Sequence, residues 1–445
     1  MNSPNDVSAP APGEPPWPPA TRGWWAVGVF CIAAILSYSD RQILSLLVDP
    51  IRADLHASDV QLGLLQGAAF ALIYAVAGVA LGRAADVLPR RWVIVGGVVI
   101  WSLATLACGY AGSFWALFAA RAVVGIGEAA LAPAAMSIIT DSFPVNRRGA
   151  GVGAFLMGMI VGGGMALALG GFILQAAQSG ALTGVPVIGA LAPWRAGLVV
   201  LGLLGLPVAV LAATVREPVR RHLMGGAAAD PVPLRQAAAG LFSLWRPLLP
   251  LYIAMGLASL CDFAILNWIP TLLIRRFDMG VGEIGGALGM VVIVGGVLGS
   301  FGAGLVADRM VKRGGGPVRL RLAVAAMVIG VLATLLVLAP TPALVIALGG
   351  IWIFASTTGQ SVGITVVQEV APGDARGLSI SLVSLVNIGI GLAVGAWAPA
   401  QVLDHVLHDP KAVGMAVTIV ALPCALVSTW LYVVALARLR KLAAA

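Results

Sequence analysis

The sequence predicts an all-α membrane protein of twelve transmembrane helices, arranged as two similar six-helix halves. Of its 445 residues, 60% are hydrophobic and only 10% are charged, and the mean hydropathy is +0.98. Soluble proteins carry about 25% charged residues, so the charges here are too few to cover a surface in water. The chain also contains twelve long apolar stretches, and its second half repeats features of the first. A soluble protein with a buried core is therefore excluded.

The helix positions follow from the length needed to cross a bilayer, which is about 20 mostly apolar residues. Charged loops and proline or glycine breaks separate stretches of that length. In chain order, we predict helices over residues 24–48, 61–84, 92–112, 114–140, 148–177, 195–215, 247–274, 283–307, 320–339, 342–369, 376–403 and 411–436.

These helices also define the predicted domains. The segment before the first helix is rich in proline and alanine and contains no apolar run, so we expect a disordered tail. The longest predicted loop contains two prolines and a glycine–alanine run, and it separates the two sets of six helices. The predicted parts are a tail (1–23), a first bundle (24–216), a cytoplasmic linker (217–246), a second bundle (247–437) and a final tail (438–445).

The net charge of +8 orients the chain in its membrane. Most of the 27 lysines and arginines fall in the loops after the even-numbered helices. Because cytoplasmic loops carry an excess of these residues, that side is the cytoplasm. An even number of helices then places both termini there. We predict a multi-pass protein of the inner (plasma) membrane, and the positive charge does not indicate a nucleic-acid partner.

Several residues of the first half recur in the second half at almost one spacing, which is close to half the length of the chain. Asp40 and Asp262 each lie inside a long apolar stretch, with serine, isoleucine and leucine at matching positions around them. The other matched pairs are Gly82 with Gly304, Asp86 with Asp308, and Arg148 with Arg376. A duplicated membrane protein that keeps an ionisable residue inside each half is typical of a transporter.

The glycine–aspartate–arginine loop after the second and eighth helices resembles the signature motif of the major facilitator superfamily. Three segments resemble its spinster-like members: Tyr38–Arg41, Arg121–Ala129 and Asp141–Gly149. The resemblance implies the major facilitator fold, with helices one, four, seven and ten around a central cavity that opens to alternate sides. Animal spinster proteins export lysolipids and sphingosine-1-phosphate. The pattern on helix one is also similar to symporters of hexuronates and organic phosphates, so that alternative stays open.

Five ionisable side chains within predicted helices form the candidate site. Each costs roughly 2.5–3.5 kcal/mol at a helix centre, so we expect them to face one another or a water-filled cavity. Glu128 and Asp40 are expected to exchange protons. Arg41 and Arg121 are expected either to bind an anionic head group or to hold these acids charged. The alternative is a set of structural ion pairs between helices. The candidates are Asp40, Arg41, Arg121, Glu128 and Asp262.

The second half contributes mostly uncharged polar groups at this depth. One charged wall facing a largely apolar wall suits an amphipathic solute, whereas the polar run on helix ten leaves a sugar-type cavity open as an alternative. The uncharged candidates are Tyr38, Asn267, Thr357, Thr358, Gln360 and Ser361.

The repeated loops predict a cytoplasmic gate. The resemblance implies that Asp86 meets the start of helix eleven and that Asp308 meets the start of helix five. An acid near a helix N-terminus gains roughly 0.3–1 kcal/mol from the helix dipole. The predicted gate residues are Gly82, Asp86, Arg90, Arg91, Arg148, Gly304, Asp308, Arg313 and Arg376.

We therefore predict a secondary active transporter, not an enzyme, that moves a lysolipid or sphingoid-phosphate-like anion by alternating access with proton coupling. The alternatives are a proton-coupled symporter of sugar acids or organophosphates and, from another class, a membrane receptor or sensor that does not transport. Substrate, protons and membrane lipids are the expected partners of a monomer. No cofactor, metal site or catalytic residue is expected, because the sequence contains no phosphate-binding loop or hydrolase motif.

Overall fold

The computed structural model describes residues 16–186, 188–220, 234–314, 316–372 and 375–444, and this part of the chain is almost wholly helical. Within it, eleven helices are long and apolar enough to cross a membrane, and Leu320–Ala333 is a shorter apolar helix. Together they occupy the twelve predicted positions. The predicted all-α membrane architecture is therefore confirmed.

The helices differ from the twelve predicted segments mainly by being divided. Three π-helical turns, Leu298–Gly302, Asn387–Leu392 and Leu403–Leu407, interrupt or end the eighth and eleventh spans. In the described part of the chain the α-helices are α1 Ala20–Leu46, α2 Val48–Leu55, α3 Asp59–Gln66, α4 Ala68–Val87, α5 Arg90–Gly109, α6 Phe114–Glu128, α7 Leu131–Ser142, α8 Val145–Gln178, α9 Pro193–Thr214, α10 Leu234–Ser243, α11 Trp245–Phe277, α12 Val281–Val297, α13 Ala303–Gly314, α14 Leu320–Ala333, α15 Pro342–Val370, α16 Arg376–Val386, α17 Ala393–Val402 and α18 Val413–Ala444.

The second and fourth predicted spans are each split in two. Gly67 separates α3 from α4, and Ala129 and Ala130 separate α6 from α7. Pro133, the third residue of α7, has no N–H to donate to the carbonyl of Ala129, so the helical ladder is interrupted there. The interruption leaves Glu128 as the last residue of α6.

Two glycines set the distance between α5 and α6. A Cβ added to Gly97 would lie 2.6 Å from the carbonyl oxygen of Gly127, and a Cβ added to Gly127 would lie 2.6 Å from that of Gly97. Small residues let membrane helices approach this closely, and any side chain would force them apart. Because Gly127 precedes Glu128, this crossing fixes the end of α6 that carries the acid.

The chain forms two compact units. The first contains Met1–Arg41, Ile73–Ala166 and Ala176–Pro231, and the second contains Gln42–Leu72, Leu167–Gln175 and Val232–Ala445. Two stretches that precede the predicted linker, residues 42–72 and 167–175, thus belong to the second unit. The physical reason is direct packing inside the second unit, where α3 and the end of α8 contact α17 and α12.

Candidate functional site

An ion pair between Arg41 and Glu128 lies inside the first unit. The Nε atom of Arg41 is 2.6 Å from Oε2 of Glu128. Ser37, one turn earlier on α1, donates its hydroxyl to the same oxygen at 2.6 Å. Glu128 is 1% exposed, whereas the side chain of Arg41 is 26% exposed. A buried carboxylate is therefore neutralised by a guanidinium that remains accessible.

Two tyrosines flank the guanidinium of Arg41. Its central carbon lies 5.3 Å from the ring centroid of Tyr38 and 5.0 Å from that of Tyr74 on α4. Such cation–π contacts contribute about 0.5–1 kcal/mol at exposed sites and more when water is excluded. The sequence analysis missed Tyr74, because nothing in its spacing distinguishes it from an ordinary lipid-facing or packing tyrosine. The two rings therefore hold the guanidinium in a defined orientation beside Glu128.

Asp40 lies beside Arg121 in the same unit, and both are 1% exposed. Arg121 interacts electrostatically with Asp40, and Thr105 on α5 donates a hydrogen bond of 2.8 Å to Oδ2 of Asp40. Among the described residues, Oδ1 of Asp40 has no hydrogen-bond partner. The sequence analysis did not single out Thr105. Four of the five candidate charges therefore meet in the first unit.

Asp262, the fifth candidate, lies in the second unit with its own partners. Trp352 and Ser356, both on α15, donate to its two carboxylate oxygens at 2.7 and 2.8 Å. Tyr432 on α18 lies within electrostatic range of it. Among the described residues, the buried hydroxyl of Tyr432 has no hydrogen-bond partner. In the part of the chain that the structure describes, this carboxyl thus accepts from neutral donors rather than from an arginine.

The uncharged candidates on α15 divide into two groups. Thr357 and Thr358 each donate to the carbonyl four residues earlier on their own helix, at 2.6 and 2.7 Å. Gln360 instead donates to the carbonyl of Met255 at 2.9 Å and accepts from the side-chain amide of Asn387 at 3.3 Å. Asn387, at the start of a π-helical turn, was not predicted. Of the remaining candidates, Asn267 is buried and Tyr38 and Ser361 are half-buried.

Arg90, predicted as a gate residue, is fully buried inside the first unit. It forms a short ion pair with Asp141 at the end of α7. It also donates to Ser137 at 2.8 Å and to Glu217, just after α9, at 3.0 Å. Its contacts therefore tie three parts of the first unit together.

The second half repeats this contact. Arg319, at the start of α14, lies 3.1 Å from Glu369 near the end of α15. Arg319 follows Arg90, and Glu369 follows Asp141, at almost the spacing that separates the other matched pairs. The sequence analysis missed this pair, although the repeat spacing would have revealed it. The two halves therefore share not only matching residue types but also a matching ion pair between helices.

The remaining gate candidates are largely exposed. The side chain of Asp86 is 63% exposed and lies 3.8 Å from Arg83, and that of Asp308 is 70% exposed and lies 3.9 Å from Arg319. Arg91 donates through its backbone to Glu217 at 3.3 Å. A Cβ added to Gly82 or Gly304 would meet no described atom within 4 Å, and Arg148 is half-buried. The side chains of Arg313 and Arg376 lie outside the described part of the structure.

Glu217 lies outside the membrane-spanning helices, and its environment lowers its pKa. Partial burial alone would raise the pKa, but hydrogen bonds from the Arg90 side chain and from the backbone N–H groups of Arg90 and Arg91 lower it by more. A lowered carboxyl pKa contributes stability above the pKa of the unfolded chain, and that contribution is lost as the pH falls through the folded pKa.

We therefore expect Glu217→Gln to destabilise the protein by about 1 kcal/mol at neutral pH, and the deficit to shrink towards acid pH. Thermal unfolding of purified parent and variant across an acid-to-neutral series measures this difference. Asp278→Asn, at an exposed left-handed position that asparagine also tolerates, is the control and should show no such trend. A deficit that stays constant with pH would contradict the electrostatic explanation.

Comparisons with known proteins identify the family. The model of the Major Facilitator Superfamily matches residues 30–396. An MFS-type efflux pump of Mycolicibacterium smegmatis is 31% identical over 66% of this chain and 64% of its own length. Protein spinster of Drosophila melanogaster is 30% identical over 45% of this chain and 31% of its own length. The match thus covers less than two thirds of the length of each of these two relatives. A probable sulfoacetate transporter, SauU, of Cupriavidus necator is 31% identical over 71% of both chains.

Solved structures show the same fold. A bacterial homolog of the human lysosomal transporter spinster, in an inward-facing, occupied conformation, superposes with a TM-score of 0.74 at 23% identity, over 93% of this chain and 95% of that chain. A D-xylose–proton symporter superposes with a TM-score of 0.65 at 16% identity, over 91% of this chain and 97% of that chain. The chain therefore belongs to the Major Facilitator Superfamily, with spinster proteins among its relatives, which confirms the predicted fold and family and the expectation that it is not an enzyme.

Proposed function

We propose that this protein is a secondary active transporter that moves an amphipathic anion, such as a lysolipid or a sphingoid phosphate, by alternating access with proton coupling. The single observation that carries the proposal is the pair between the accessible Arg41 and the buried Glu128. A cation and an acid that hold each other inside a membrane protein are suited to binding an anion and a proton together.

The coupling follows from competition for Arg41. While Glu128 is charged, its Oε2 accepts from the Nε of Arg41 and occupies that side of the guanidinium. A proton on Glu128 removes the negative charge, and the hydroxyl of Ser37 remains as its hydrogen-bond partner. The guanidinium can then turn its paired N–H donors to a phosphate or carboxylate head group, the geometry arginine favours. Proton binding therefore strengthens anion binding, and the two move in the same direction.

Asp40 supplies a second acid beside this pair. Arg121 lies within electrostatic range of it, and Thr105 donates a hydrogen bond to it. In the proposed cycle Asp40 exchanges its proton with Glu128, and Arg121 keeps the unprotonated acid from remaining an isolated charge. Asp262, which lacks an arginine partner among the residues named above, is proposed to line the cavity on the side of the second half.

The proposed setting follows the loop charges. We place both termini in the cytoplasm and the protein, as a monomer, in the plasma membrane, with membrane lipids around it. Asp86 with the start of α16, and Asp308 with the start of α8, are proposed to close the cytoplasmic side in part of the cycle. The resemblance of Tyr38–Arg41, Arg121–Ala129 and Asp141–Gly149 to spinster proteins, whose animal members export lysolipids, supports a lipid-like substrate by analogy.

A second candidate is a proton-coupled symporter of a small organic anion such as a sugar acid or organophosphate. The amide pair of Gln360 and Asn387 favours it, because such amides bind hydroxyl groups. The relative named as a probable sulfoacetate transporter also supports a small anion. A receptor that binds without transporting would bind the same ligands and show no flux.

The test is uptake into proteoliposomes under an imposed pH gradient, using a fluorescent anionic lysophospholipid and a radiolabelled hexuronate as probes. We expect the parent to accumulate one probe. Glu128→Gln and Asp40→Asn should bind that probe in a thermal-shift assay but lose the response to the gradient. Asp278→Asn, exposed and distant in sequence, should behave as the parent. Gradient-driven uptake that persists in Glu128→Gln would refute the coupling, and binding without flux would favour a receptor.

A further inference from the structure

We propose that Arg275 is the centre of an ionic latch that holds one end of the transporter closed and must open in each cycle. The latch consists of Arg275, Arg52, Asp49 and Asp59, all within the second unit. It joins residues before the linker to a helix after it. The inference rests on the alternating-access function proposed above, and it names a second ionic site that is separate from the pair of Arg41 and Glu128.

The contacts of Arg275 are close and largely buried. Its Nη2 atom lies 2.7 Å from Oδ1 of Asp49 and 2.8 Å from Oδ1 of Asp59. Its Nη1 atom donates to Oδ2 of Asp59 at 3.0 Å, so the pair with Asp59 is two-pronged. Asp59 is fully buried and the side chain of Arg275 is 7% exposed. Arg52 adds a contact of 3.2 Å to Asp59.

The chain builds the latch from two helix ends. Arg275 lies in the last turn of α11, where a positive charge is favoured by the helix dipole, and Asp59 is the first residue of α3, where a negative charge is favoured. Asp404, in the π-helical turn after α17, accepts the backbone N–H of Val60 at 2.8 Å. The start of α3 is therefore held twice by the second half, once through Asp59 and once through Val60.

Within the same unit, close glycine contacts also join stretches before the linker to helices after it. A Cβ added to Gly171 on α8 would lie 3.0 Å from the Cα of Gly285 on α12. A Cβ added to Gly67, between α3 and α4, would lie 2.7 Å from the carbonyl oxygen of Leu392. Asp59 is fully buried and the side chain of Arg275 is 7% exposed, whereas those of Asp49 and Arg52 are 32% and 36% exposed, so the central pair lies in a surrounding of lower dielectric than its edge. In that surrounding the pairing of Arg275 with Asp59 is strongest.

A charged centre suits a seal that must also open. Burying an ion pair gains little net stability, because the lost hydration nearly offsets the attraction between the charges. When α3 separates from the end of α11, water hydrates Arg275 and Asp59 again, and much of the lost hydration free energy is regained. A purely apolar seal of the same size would expose its surface to water at full cost. The latch therefore gives a defined closed state without a large barrier to opening. A purely structural ion pair would stay buried throughout.

The experiment measures opening directly, without substrate or gradient. In a variant lacking the four native cysteines, Thr271→Cys places a reporter one turn before Arg275, where the side chain is fully buried. Its rate of reaction with a hydrophilic maleimide is followed on purified protein in detergent. Ser428→Cys, fully buried and bonded to the carbonyl of Ala254 between α18 and α11, reports global unfolding. The matched control for the latch is Arg276→Gln, since Arg276 is the exposed neighbour of Arg275.

We expect Arg275→Gln and Asp59→Asn each to raise the labelling rate of the Thr271→Cys reporter at least about tenfold, because each removes the two-pronged partner of a buried charge and leaves that charge only a single, partly exposed one. Arg275→Lys keeps the charge but not the two-pronged contact, so an intermediate rate is expected. The Ser428→Cys reporter and Arg276→Gln should remain at the rate of the parent.

The latch is overturned if Arg275→Gln labels no faster than the parent or if Arg276→Gln has an equal effect. An increase at both reporters would indicate unfolding and would also overturn it. Because no transport is measured, failure of the latch leaves the proton-coupled function standing. Conversely, loss of coupling in the Glu128→Gln experiment does not bear on the labelling rates.

Discussion

Leucine in place of Arg41 alone is expected to destabilise the protein more than leucine at both Arg41 and Glu128. The single change leaves a carboxylate that is 1% exposed, with the hydroxyl of Ser37 as its remaining partner among the contacts described. Breaking a buried pair in this way costs about 3–5 kcal/mol, whereas replacing both partners by apolar residues is often close to neutral. The double variant should therefore recover most of the stability that the single variant loses.

Unfolding of purified protein in a detergent series gives the two free-energy differences, and a double-mutant cycle gives the coupling between the residues. Both variants should be inactive in the proteoliposome assay. The double variant should therefore regain stability without regaining transport. Tyr74→Phe keeps the aromatic face beside Arg41 and serves as the control for general disturbance. If the double variant is no more stable than Arg41→Leu, the loss of stability in the single variant does not come from leaving Glu128 without Arg41.

The sequence identified the members of this site but not their pairing. Charges within apolar helices are conspicuous, because each is costly unless it is partnered. Which acid meets which base depends on helix rotation and crossing distance. Arg121 shares a helix with Glu128, yet Arg41 from α1 reaches that acid. The crossing at Gly97 and Gly127 fixes α6 against α5, and a glycine gives no indication of its partner in a sequence rich in glycine.

Some helix breaks have a signal in the sequence and others do not. Pro133 explains the split in the fourth span, because proline removes a backbone donor from a helix, although a single helix was predicted there. The π-helical turn at Asn387 has no comparable signature, since it arises from one extra residue accommodated by tertiary packing. Thr105 and Tyr74 were likewise missed, because a hydroxyl or a ring on a membrane helix has many ordinary uses. Their roles depend on the neighbours that folding supplies.

Leucine in place of Arg90 is expected to lower stability far more than leucine in place of Arg319, although the two arginines occupy matching positions in the repeat. Arg90 is fully buried, and its partners Asp141 and Glu217 have side chains only 6% and 21% exposed. Its loss removes the guanidinium that neutralises two poorly hydrated acids, which costs about 3–5 kcal/mol. Exposed ion pairs instead contribute about 0–1 kcal/mol.

Arg319 tests the expectation that an ion pair with exposed acids contributes little to stability. Its own side chain is 9% exposed, but Glu369 and Asp308 are 44% and 70% exposed and regain hydration when the arginine is removed. We expect Arg319→Leu to cost no more than about 1 kcal/mol. Unfolding free energies of the two variants, measured side by side, check the difference. Equal losses would mean that the cost comes from the packing of the arginine stem rather than from the acids.

A second comparison separates charge from packing at Arg90. Arg90→Met keeps most of the buried length of the side chain and removes only the charged group, so it should lose nearly as much stability as Arg90→Leu. Adding Asp141→Asn to Arg90→Met removes the acid that Arg90 neutralises most directly, and part of the lost stability should return. Recovery in this double variant would assign Arg90 to the internal support of the first unit, because a residue that acted only in a gate would change transport without changing unfolding.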